Sequence, residues 1–170
     1  MNDAILVAYA ARDNSLNEVS EALAHEIGQF CGLVDVAPVQ RVRDVRPYRA
    51  VVLGSQVWRA RWLPEAIAFL SAQRSTLRYR LVGVFQLCAA QCQDTAFNTD
   101  AARHAFEDMR RAFPEFRPLE AGMFNEDAIL GRQPGDWREL KPMREWGKKV
   151  GKVLGEMRQP QPERRPPEVP

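Results

Sequence analysis

The chain is built from short apolar runs that do not alternate with polar residues, and most of them lead into segments with apolar residues at helical spacing. A strand carries an uninterrupted apolar run when both of its faces are buried. That condition is met by a parallel sheet with helices on both sides. The first run is Ala4-Ile5-Leu6-Val7-Ala8-Tyr9. After a loop over Ala10 to Asn14 comes Ser15-Leu16-Asn17-Glu18, which has the spacing of a capping box, and then Val19, Leu23, Ile27 and Phe30 on one helical face. A helix over 15–30 is predicted, ended by Gly32.

The same alternation repeats down the chain. Leu33 to Ala37 reads as a short second strand bounded by Pro38, and Ala50-Val51-Val52-Leu53-Gly54 as a third. Pro64 fits the first turn of a helix, where its missing N–H is harmless, and Ala66, Ile67, Phe69 and Leu70 follow it. Leu81 to Leu87 reads as the fourth strand. A helix capped by Thr99 or Asp100 then carries Ala102, Phe106, Met109 and Phe113 up to Pro114. Phe116 to Phe124 reads as a fifth strand, placed at a sheet edge by Pro118. The final helix starts at Trp137 or Glu139 and presents Leu140, Met143, Trp146, Val150, Val153 and Leu154.

At 170 residues, 45% of them hydrophobic and 27% charged, the chain has the size and composition of one globular core. The expected division is a domain over 1–157 and a proline-rich tail over 158–170, too poor in apolar residues to pack and expected to be extended or disordered. The 24 basic and 22 acidic residues leave a formal charge of +2, so nucleic acid is not an expected partner. No apolar run is long enough to span a membrane and the N-terminus lacks a signal-peptide pattern, so a cytoplasmic location is expected. Cys31, Cys88 and Cys92 are too few and too irregular for a disulfide framework and read as reduced thiols. Without a further Cys or a nearby His, Cys88 and Cys92 form no metal set, and no metal is expected. His25 and His104 fall on predicted helices with no catalytic partner legible in the sequence.

In a doubly wound sheet the ligand crevice lies beyond the carboxyl ends of the strands, where strand order reverses. The segments that reach it are Ala10 to Ser15, Ser55 to Trp62 and Cys88 to Asn98. Two of these carry a resemblance. The stretch from Ile5 to Val19, with Ala10-Ala11-Arg12-Asp13-Asn14-Ser15-Leu16 at its centre, resembles the first strand, phosphate loop and first helix of the flavodoxin-domain family that includes bacterial flavodoxin-type protoporphyrinogen dehydrogenases. The stretch from Tyr48 to Ala66, with Ser55-Gln56-Val57-Trp58-Arg59-Ala60 in the middle, looks like that family's third strand and flavin-flanking loop. Gly135-Asp136-Trp137-Arg138 and the helix through Trp146 resemble its closing helix, so the likeness covers about residues 4–155.

The resemblance implies a five-stranded parallel sheet in the order 2-1-3-4-5 and noncovalent FMN. The phosphate would lie in the first loop, and the ring between the second and the segment Leu87-Cys88-Ala89. It implies electron transfer between a reductase and a redox partner protein or small-molecule acceptor, with no side chain acting as acid, base or nucleophile. Ala11, Asn14 and Leu16 stand where the family usually has Thr, Gly and Thr, and Ala60 where it has Gly. The departures raise an alternative: a domain that no longer binds FMN and acts through protein contacts. Only Asn125 to Asp136 separates the fifth strand from the last helix, where the porphyrinogen enzymes carry an insertion, so that activity is not expected.

Overall fold

The computed structural model describes residues 3–88, 95–125 and 140–157. Six strands and five α-helices follow one another in these segments. The strands are β1 (Ile5–Ala10), β2 (Val34–Pro38), β3 (Ala50–Trp58), β4 (Arg61–Trp62), β5 (Leu81–Cys88) and β6 (Glu120–Asn125). The helices are α1 (Ser15–Cys31), α2 (Pro64–Ala72), α3 (Arg74–Leu77), α4 (Thr95–Ala112) and α5 (Lys141–Met157). The principal strands pair in parallel in the order β2-β1-β3-β5-β6, which is the predicted 2-1-3-4-5. β4 is an addition that the sequence does not announce: two residues paired antiparallel to the end of β3.

The side chains of β1 show how the two faces are filled. Leu6, Ala8 and Ala10 join one core cluster, beneath α2 and α4, whereas Ile5 and Val7 join the other, beneath α1 and α5. All five are fully buried, which is why the run carries no polar residue. The edge strands β2 and β6 bear the exposed Asp35 and Met123. On the α5 face an alanine Cβ at Gly54 would lie 2.2 Å from the Phe85 ring, its partner in the β3–β5 register. The lack of a side chain there lets Phe85 lie flat over β3 and meet Trp146 of α5 at 5.8 Å between ring centroids. Gly151 gives α5 the same close approach to Ile27 and Phe30 of α1, and the Cys31 thiol donates to its carbonyl at 3.4 Å.

Several boundaries differ from the sequence reading. β3 runs on to Trp58 instead of ending at Gly54, because Ser55 pairs with Ala10 on one side and Val57 with Cys88 on the other. Ser55, Gln56 and Val57 are therefore buried strand residues, not loop residues. α4 begins at Thr95, ahead of the expected cap at Thr99 or Asp100. α5 begins at Lys141; its expected starts at Trp137 and Glu139 lie outside the described residues, as do Ala89, Cys92, Gly135 to Arg138 and the proline-rich tail.

Candidate functional site

The carboxyl ends of β1 and β3, on either side of the point where strand order reverses, bring together the two segments singled out in the sequence. From β1 the chain passes through Ala11, Arg12, Asp13 and Asn14 into α1. Ser15 is not the N-cap that the expected capping box places there. Asn14 occupies the N-cap with φ −84° and ψ −4° and makes no side-chain cap bond, and Ser15 is the first helical residue. The cause is Asp13, whose Oδ1 accepts both the Ser15 N–H at 3.0 Å and the Ser15 hydroxyl at 2.5 Å. With these groups engaged two residues upstream, the helix starts a residue earlier than a Ser15 cap would allow.

Gln56 fixes this loop from the neighbouring strand. Its Oε1 accepts the Arg12 N–H at 2.6 Å, and its Nε2 donates to Asp13 Oδ1 at 3.1 Å and to Ser15 Oγ at 3.2 Å. Three donors thus converge on one carboxylate oxygen at the positive end of a 17-residue helix. Burial opposes the Asp13 charge, but the hydrogen bonds from the Ser15 hydroxyl, the Ser15 N–H and Gln56 outweigh it and hold the carboxyl below its ordinary value. Tyr9 braces the helix on its other side, its hydroxyl donating to Asn17 at 2.9 Å.

The second segment is a tight hairpin. Arg59 and Ala60 turn the chain from β3 into β4 with φ of 50° and 59°, the sign that two-residue hairpin turns of the I′ type require at both central positions. Trp58, just before the turn, is 38% exposed, and the Arg12 guanidinium stands 4.3 Å over its ring. Trp62, just after it, turns inward. Its indole N–H donates at 2.9 Å to Gln86 of β5, whose own amide donates to the Ala102 carbonyl of α4 at 2.6 Å. The Ser55 hydroxyl sits between Leu63 N–H, which it accepts at 3.1 Å, and the Gln56 carbonyl, to which it donates at 2.8 Å.

The residues expected at the site therefore separate. Arg12, Asp13, Asn14, Trp58 and Arg59 are exposed, and Ala11, Ser15 and Ala60 are partly so. Ala10, Leu16, Ser55, Gln56, Val57, Leu87 and Cys88 are buried. Of the buried strand residues, Gln56 reaches the loop with its amide. Trp62, at the end of the segment expected to reach the crevice, is a core anchor. Gln86 escaped the sequence reading because it sits inside an apolar strand with nothing around it to suggest a polar network. His25 and His104 are exposed on α1 and α4, and Cys31 and Cys88 are buried. A groove of about 910 Å³ lined by Phe106, Arg110, Phe116, Arg117 and Ala121 lies at the amino end of β6, away from this crevice.

The donor chemistry of the loop fits a phosphate. Asp13 Oδ1 stands in for one phosphate oxygen, and its partners are two N–H groups and a hydroxyl aimed at an anion. The exposed Trp58 ring beside it fits a flat aromatic ligand.

Comparisons with known proteins agree with the fold. The fold is similar to that of the flavodiiron core from Synechocystis, with a TM-score of 0.63 and 13% identity; the alignment covers 91% of this chain but 36% of that one, so the chain spans about a third of that protein's length. It is similar over almost the full length of two flavodoxins. For a short-chain flavodoxin associated with a non-canonical bacterial microcompartment the TM-score is 0.64 at 14% identity, covering 91% and 99% of the two chains. For the two-electron reduced flavodoxin of Megasphaera elsdenii it is 0.61 at 10% identity, covering 87% and 98%. No curated protein sequence matches significantly. The family model for the flavodoxin domain matches residues 6–124, from β1 through the loop at Asp13 and the hairpin at Trp58 to β6, and the chain belongs to the flavodoxin-domain family.

Proposed function

We propose that this chain is a flavodoxin-type redox protein that holds FMN noncovalently and carries electrons between a reductase and an acceptor, a redox partner protein or a small molecule, in the cytoplasm. The observation that carries the reading is the convergence of the Ser15 N–H, the Ser15 hydroxyl and the Gln56 amide on a single anionic oxygen at the start of α1, next to the exposed Trp58. FMN, when bound, supplies the one- and two-electron chemistry. The chain's own residues bind and orient. The loop from Ala10 to Leu16 offers its N–H groups and the Ser15 hydroxyl to the phosphate, Arg12 adds a positive charge, and Gln56 keeps the loop in place from β3. Trp58 offers a ring face for stacking, with Arg59 and Ala60 setting its position through the hairpin and Leu87 and Cys88 ending β5 beside β3. No side chain is assigned an acid, base or nucleophilic role.

Visible absorption of the purified protein before and after excess FMN, followed by gel filtration, tests the proposal. Flavin that co-elutes with the protein and quenches Trp58 fluorescence is the expected result. A colourless protein that retains no FMN overturns it.

A second reading, a domain that has given up FMN and works through protein contacts, is favoured by one feature. Leu16 is fully buried where the family places a hydroxyl, and Ala11 also lacks one, leaving Ser15 as the sole hydroxyl side chain of the loop from Ala10 to Leu16. The same gel-filtration measurement separates the two.

A further inference from the structure

Resting on the FMN reading, we infer that Asp13 is a built-in competitor for the phosphate: its carboxylate occupies the anion position of the loop and has to leave before a phosphate can enter. The argument is one of donor stoichiometry. The Ser15 backbone has one N–H and its side chain one O–H, and both are directed at Asp13 Oδ1, at 3.0 Å and 2.5 Å. The Gln56 amide has two N–H groups, directed at the same Oδ1 and at Ser15 Oγ, 3.1 Å and 3.2 Å away. The Arg12 N–H is held at 2.6 Å by Gln56 Oε1. A phosphate that takes the Ser15 donors must therefore displace the carboxylate. If the carboxylate stayed nearby, the two negative charges would repel.

Nothing but these hydrogen bonds is described as holding Asp13 in place. Its side chain is exposed and belongs to no core cluster, so it can rotate into solvent when an anion arrives. The exchange gives the loop a preformed cradle without a ligand, at the expense of affinity once the ligand comes. With Ala11 and Leu16 contributing no hydroxyl, the Ser15 donors make up a large share of what a phosphate could gain, so the competition weighs more here than in a loop with further hydroxyls.

The test compares the full chain with Asp13→Ala, and with Asp13→Asn as a variant that keeps the loop's shape while removing its charge. Two probes are used: flavin fluorescence titration with FMN and with riboflavin, which lacks the phosphate, and thermal unfolding in inorganic phosphate against chloride at equal ionic strength. The expected result is FMN binding about tenfold tighter in Asp13→Ala, the low end of what one hydrogen bond to a charged group is worth, with riboflavin binding unchanged. Phosphate should raise the melting temperature of both variants more than that of the parent. FMN bound equally well or more weakly by both variants, with no added phosphate stabilisation, overturns the inference and leaves the flavin reading standing. Phosphate stabilisation of the variants without binding of either flavin sinks the flavin reading and supports the competitor role. No response to any probe in any protein removes both.

Discussion

Gln56 accepts the backbone N–H of Arg12 at 2.6 Å across 44 positions of sequence, so that a side chain at the end of β3 sets the path of the loop that leaves β1. The loop over 11–14 has no secondary structure of its own, and its backbone hydrogen bonding depends on this neighbour.

Replacing Gln56 by Ala leaves the Arg12 N–H in a partly buried position without its acceptor and removes both amide bonds to Asp13 and Ser15. A loss of about 1 to 3 kcal/mol is expected. Urea unfolding measures it, and amide exchange should show Arg12 losing protection while residues in the middle of β1 keep theirs.

Acid should weaken the same loop. The folded state holds the Asp13 carboxyl below its ordinary value of 3.8. Between the ordinary and the lowered value the unfolded chain binds more protons than the folded one, so stability rises with pH. The contribution is fully present above about pH 5 and is lost as pH falls below about 4. In Asp13→Asn the acid limb of a melting-temperature profile should be shallower than in the parent; an identical slope would show that Asp13 contributes nothing to it.

The hairpin at Arg59 and Ala60 pays a conformational penalty, since both residues sit at positive φ with a Cβ. Ala60→Gly is expected to stabilise the protein by about 0.5 to 1 kcal/mol, because glycine adopts that region freely. The check is a denaturant midpoint shifted upward with an unchanged slope.

Beneath α5, Glu26 of α1 is buried to 1% side-chain exposure and accepts Arg144 Nε at 2.6 Å. Arg144→Met strands a carboxylate among apolar neighbours and should cost about 3 kcal/mol, whereas changing Glu26 and Arg144 together to Met should recover most of that loss. Thermal unfolding of the two singles and the double completes the cycle.

The sequence by itself determined the architecture. The unbroken apolar runs at Ile5–Ala10, Ala50–Leu53 and Leu81–Phe85 could be satisfied only by strands covered on both faces, and the helical periodicities between them supplied the covering layers. The resemblance located the loop from Ala10 to Leu16 and the segment around Trp58, and both do meet at the carboxyl end of the sheet. What only the tertiary structure decided is which groups in those segments are engaged with one another. Asp13 looked like one more polar loop residue, and Ser15 like a helix cap, until folding brought Gln56 beside them and directed the donors of Ser15 and Gln56 at one Asp13 oxygen. Trp58 and Trp62 fell in one segment of the sequence, and only the β3–β4 hairpin left the first exposed and drew the second onto Gln86. Burial patterns are written locally because each residue's own hydrophobicity decides its side of the boundary. Hydrogen-bond partners across 40 or more positions, such as Gln56 with Asp13 and Ser15, depend on the register between β1 and β3, which no single segment contains.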